Sequence, residues 1–107
     1  MSVDSRNKGK VGEREFAALM THEGWLSART QQYKGTPQSA DIDSRGLEFI
    51  HWEVKRREKG NVEHWLNQAE DECGTEKLPI VAHRRSGETW KVTLRATDLC
   101  RILRGEF

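Results

Sequence analysis

A chain of 107 residues fits one domain with one core and is too short for two. Its residues are 35% hydrophobic and 33% charged, without an apolar run of roughly eighteen positions, which excludes a helical membrane span and makes a soluble protein the expectation. The formal net charge of +1 is too near zero to name a partner, so the information lies in where the charges fall.

Met1 to Lys10 is polar and basic and lacks the apolar region of a secretion signal, so a cytoplasmic protein is expected. The first predicted helix runs from about Lys10 to His22, with Phe16, Leu19 and Met20 on its apolar face and Gly24 closing it. A strand-like stretch follows from Trp25 to about Gln32. After it Lys34, Gly35, Thr36 and Pro37 read as a loop, and Ser39 to Asp43 as a short strand. Leu47 to Lys55 is the most strand-like segment, with Phe49, Ile50, Trp52 and Val54 expected to fill both faces of a central strand.

A second helix from about Val62 to Cys73 is predicted from Val62, Trp65, Leu66, Ala69 and Cys73, which recur at helical spacing before Gly74. Leu78 to His83 reads as a buried strand, joined through Ser86 and Gly87 to an alternating strand from Glu88 to Leu94. Thr97 is expected to cap a terminal helix bearing Leu99, Ile102 and Leu103. The order αβββαββα suits an α/β fold with a central mixed sheet flanked by helices. Cys73 and Cys100 lack ligand or redox spacing and are expected as reduced, partly buried thiols.

Glu53-Val54-Lys55 places a carboxylate and an ammonium two positions apart, hence on one face of a strand. An isolated pair of this kind is usually an ordinary ion pair at a strand end. Here it interrupts an apolar strand, where a charge is costly unless paired or bound to metal. Asp41 stands about a dozen residues upstream, and a hairpin could bring it to Glu53. Magnesium takes oxygen ligands, commonly one or two carboxylates with water and phosphate completing the shell. Asp43 is the rival to Asp41. Glu13 borders the apolar face of the first helix, where it either joins such a site or simply meets the helix dipole. Gln68 flanks the stripe of the second helix, either orienting a site group or bordering the core. Basic residues cluster as Arg6, Lys8 and Lys10, as Lys55, Arg56, Arg57 and Lys59, and as Arg84 and Arg85. A solvated surface is the plain reading of any one cluster.

Lys8-Gly9, Glu13-Arg14-Glu15, Asp41-Ile42 and Glu53-Val54-Lys55, in this order and spacing, resemble the archaeal and phage Holliday junction resolvases of the restriction-endonuclease-like, PD-(D/E)XK nuclease superfamily. The resemblance runs from roughly Lys8 to Ala82. It departs in a longer segment between Gln31 and Asp41 and a shorter C-terminal part. It implies a restriction-endonuclease-like core forming one nuclease domain over residues 1–107, and a Mg2+-dependent endonuclease, with Mn2+ as an alternative ion. Glu13, Asp41, Glu53 and the Val54 carbonyl would gather the metal, and Lys55 would be the catalytic lysine. Lys8, Lys10, Arg14, Arg29, Lys34, Arg56 and Arg57 would lie near DNA. It further implies branched or four-way DNA as partner and a homodimer, to which Trp65, Trp90 and Leu103 are candidate contributors. The alternatives are another nuclease on this scaffold, cutting duplex, flaps or ends, an inactive DNA-binding module, and a protein-binding domain without a nucleic-acid role.

Overall fold

The computed structural model describes residues 3–30 and 40–107, with side chains from residue 9 onward. The elements follow the expected order: α1 (Val3–His22), β1 (Ser27–Arg29), β2 (Ile42–Ser44), β3 (Ile50–Arg56), α2 (Val62–Cys73), β4 (Leu78–Arg84), β5 (Lys91–Thr93) and α3 (Ala96–Leu103). β3 and β4 are parallel, which requires a crossover, and α2 supplies it. β5 turns back antiparallel on β4, completing a mixed three-stranded sheet, while β1 and β2 form an antiparallel pair.

The single central sheet expected from the sequence is thus two hydrogen-bonded ladders. They meet where the Asp41 amide donates to the Trp52 carbonyl at 2.9 Å. Two residues on, the Val54 amide donates to the Asp41 carboxylate at 2.8 Å. A side chain there replaces the neighbouring strand as acceptor, and the ladder stops.

β3 also differs from its expectation. Ile50, Trp52 and Val54 all point to one side, where Phe16 and Ala17 of α1 pack with Ile80 and Ala82 of β4. Phe16 meets Trp52 edge to face at 5.1 Å between centroids. Strand alternation sends His51, Glu53 and Lys55 to the opposite side. There α2 lays Trp65 and Leu66 over Val81, the residue beside Glu53 in the β3–β4 register. Both faces are covered, but only one is apolar.

α1 begins at Val3, seven residues before the predicted start, because no proline breaks residues 3–10. Among the described residues the first strand covers Ser27–Arg29 and the second Ile42–Ser44, while the predicted Gln31 and Gln32, the Lys34 to Pro37 loop and Ser39 lie outside them. Thr97 lies inside α3, whose cap position is Arg95 without a side-chain cap bond. Arg95 reaches back to α2, bonding Glu70 at 2.9 and 3.0 Å and Asn67 at 2.8 Å. Trp65 is buried in the core, and Trp90, partly buried, packs against the α1 cluster at its edge. Leu103 is 75% exposed.

Gly12 lets α1 approach the end of β3: a Cβ there would lie 2.9 Å from the Arg56 Cβ. In an open helix Gly→Ala gains about 1 kcal/mol, but overpacking costs about 1 to 3 kcal/mol. Gly12→Ala is therefore expected to lower stability by roughly 1 kcal/mol in urea unfolding, where a relieved propensity defect would raise it.

Candidate active site

Glu53 and Lys55 project from the same face of β3, and their side chains pair at 3.1 Å between Lys55 Nζ and Glu53 Oε2. Both are largely withdrawn from solvent. Asp41 arrives from just before β2, pinned by its amide to Trp52 and by its carboxylate to Val54. Burial, then the Glu53 charge, pushes the Asp41 carboxyl up to about 7, against the lowering effect of the Val54 amide. Burial also raises Glu53, although Lys55 opposes it. Glu13 adds a repulsive contribution to both.

A buried Glu53 and a partly buried Asp41, with the one ammonium of Lys55 paired to Glu53, crowd negative charge that a divalent cation would relieve. Asp41 and Glu53 therefore offer oxygen donors of the kind such an ion takes. Glu13 faces the site but is held by Arg29, whose Nε lies 2.8 Å from its Oε1. Asp43 is exposed and lines a different cavity, with Leu26, Ser44, Arg45 and Lys77.

Among the described residues, the group whose donor atoms lie within 4.8 Å of one another is His51, Glu53 and Glu72, and not the predicted trio of acids. His51 and Glu72 are absent from the sequence reading. The signal for His51 was available, since it stands two positions before Glu53 in a strand and so shares its face. Gln68 supports this group: its Nε2 donates to Glu72 Oε1 at 3.2 Å.

The parallel register sets Lys55 beside His83 and Arg56 beside Arg84, so the second and third basic clusters meet at one end of the sheet. A cavity of about 350 Å³ opens there among Gly9, Val54, Lys55, Arg57 and Lys59. An adjoining one of about 470 Å³ is lined by Arg57, Lys59, Arg84, Arg85 and Lys91. Lys10, Arg14 and Arg57 are exposed. Arg14 and Arg29 line an open depression between α1 and β1. Arg56 lies 3.5 Å from Glu15, which also binds Arg84 and accepts from Trp90 Nε1 at 3.0 Å. The Lys8 side chain and Lys34 lie outside the described residues.

The mixed sheet flanked by helices, with Glu53 and Lys55 on β3 and Asp41 beside it, is an α/β architecture. Among solved structures, Hjc from Archaeoglobus fulgidus, a Holliday junction resolvase from an archaeal hyperthermophile, matches it with a TM-score of 0.54 at 19% identity, over 77% of this chain and 72% of that one. At that identity the shared property is the fold. No protein-family model and no curated protein matches the chain.

Because Asp41 titrates above its ordinary 3.8, its protonated form stabilises the fold at low pH, and that contribution is lost as pH rises through about 7. In chelator, Asp41 is expected to withdraw on the order of 2 to 4 kcal/mol between about pH 4 and pH 8. Asp41→Asn should flatten this dependence relative to wild type. Parallel stability profiles of the two proteins would contradict the assignment.

Proposed function

We propose that this chain is one metal-dependent DNA endonuclease domain that resolves four-way junctions. The observation that carries the reading is Asp41 held to the Val54 amide and Glu53 paired with Lys55, both at β3 near the sheet end where the basic clusters converge. The likeness in fold to a Holliday junction resolvase supports it.

In this reading Asp41 and Glu53 hold Mg2+, or Mn2+ in its place, with Glu13 and the Val54 carbonyl completing the protein's share. When bound, the ion supplies a water of lowered pKa and offsets charge on the phosphoryl oxygens. Lys55, fixed by Glu53, orients the attacking water and faces the charge that grows on the phosphate. The Val54 amide keeps Asp41 aimed, so the carboxylates need not rearrange as substrate enters.

Lys10, Arg14 and Arg57, being exposed, contact the phosphate backbone, joined by Lys8 and Lys34. Arg29 and Arg56, each paired with a glutamate, lie at the border of that surface. Such contacts bind with strong salt dependence and little sequence readout, leaving branch shape to choose the substrate.

A labelled four-way junction in Mg2+, beside duplex, flap and single-strand controls, tests this function. Paired symmetric cuts are expected in the junction alone. Asp41→Asn should abolish them, and Lys55→Ala should slow them by about 10² to 10³. Cutting of every substrate alike would leave a general nuclease, and binding without cutting an inactive DNA-binding module.

Symmetric cutting calls for two sites, hence a homodimer. Leu99 and Leu103 of α3, with Val92 of β5, are exposed apolar side chains suited to such a contact. Leu103→Glu is expected to yield a monomer in sedimentation and to replace paired cuts by single nicks. An unchanged dimer would place the interface elsewhere.

A further inference from the structure

His51 is 2% exposed, and its Nε2 is buried without a hydrogen-bond partner. A buried imidazole nitrogen left in that condition is costly, and such groups ordinarily have a protein, water or ion partner. The side chain is aimed at Glu72 on α2, but Nε2 stops 4.0 Å from Glu72 Oε2, beyond hydrogen-bond reach. Glu53 closes the third corner, with donor atoms of all three residues within 4.8 Å of one another. The gap is too wide for a direct bond, yet its donors converge as around an ion.

We propose that His51, Glu53 and Glu72 form a second cation site, between β3 and α2, that takes a transition-metal ion such as Mn2+ or Zn2+. The donor set decides the class. One imidazole with two carboxylates suits transition metals, whereas magnesium and calcium prefer oxygen throughout. Gln68 acts behind it, donating to Glu72 Oε1 and leaving Oε2 toward His51. Such a hydrogen bond fixes a ligating carboxylate in place. The site stands on these donors alone. Only its consequence for catalysis rests on the nuclease reading: Glu53 would be common to both sites, so an ion at His51 would position the carboxylate that also holds Lys55.

The test is Mn2+ binding to the full chain, read by pulsed electron paramagnetic resonance for coupling to a ligating nitrogen. Wild type and Asp41→Asn are both expected to show 14N coupling, since Asp41 is outside the group. His51→Gln should abolish the coupling and weaken Mn2+ binding by roughly tenfold or more. Glu72→Gln, on the helix and only partly buried, should weaken it similarly without disturbing the core, which keeps the test valid if His51→Gln folds poorly. Zn2+ should displace the coupled Mn2+.

Absence of Mn2+ binding, bound Mn2+ without nitrogen coupling in wild type, or coupling that survives His51→Gln would each overturn the site. Junction cleavage by wild type in Mg2+, measured on the same preparations, tells whether the nuclease reading stands or falls separately.

Discussion

The Val54 amide donates to the Asp41 carboxylate where a continuous sheet would offer it a neighbouring carbonyl. That bond holds an acid against β3, breaks the strand ladder after one backbone contact and leaves β1 and β2 as a separate pair. It also favours the ionised form of Asp41, but burial and the Glu53 charge outweigh it and carry the carboxyl up to about 7. The chain thus keeps a charge conflict at the point where its two ladders join. Charges concentrated by burial in this way are typical of sites that bind cations or move protons, because the same groups in water would contribute little.

Around this centre, ion pairs serve as structural ties between elements. Glu15 gathers Arg56, Arg84 and the Trp90 indole, linking α1 to β3, β4 and the start of β5. Glu13 ties α1 to β1 through Arg29, and Arg95 ties α3 to α2 through Glu63 and Glu70. These pairs are partly solvated, so each contributes little to stability taken singly. Their effect is geometric: they fix which basic groups turn inward and which, such as Arg57 and Lys10, remain at the surface.

Period and order made most of the architecture legible in the sequence. The helical spacing from Val62 to Cys73 and the strand from Leu78 needed no tertiary information, because one apolar pattern in each admits one conformation. The E-x-K pair likewise followed from strand alternation. Alternation also implied the partition of β3, with Ile50, Trp52 and Val54 on one face and His51 with Glu53 on the other; what could not be read was the burial of His51, which depends on α2 covering it. Nor could the pairing of Arg56 with Glu15 be read, because it joins residues from α1 and β3 that no local pattern connects. Thr97 misled for a related reason: it resembles a cap in isolation, but Arg95 is drawn to Glu63 and Glu70, and the helix starts there.

The two faces of β3 carry opposed demands, and the fold separates them by one residue's alternation. On the α1 side, Phe16, Trp52, Val54 and Ile80 bury apolar surface, which is where packing stabilises most per residue, although the Trp52 Nε1 is buried there without a hydrogen-bond partner. On the α2 side, His51, Glu53 and Lys55 occupy an interior that apolar residues would stabilise better. The apolar side tolerates that because β3 is paired along its whole length with β4, so its backbone is held whatever the polar side chains do. A strand anchored on one face can present charged groups on the other at fixed spacing, and fixed spacing is what distinguishes a binding site from a collection of acids.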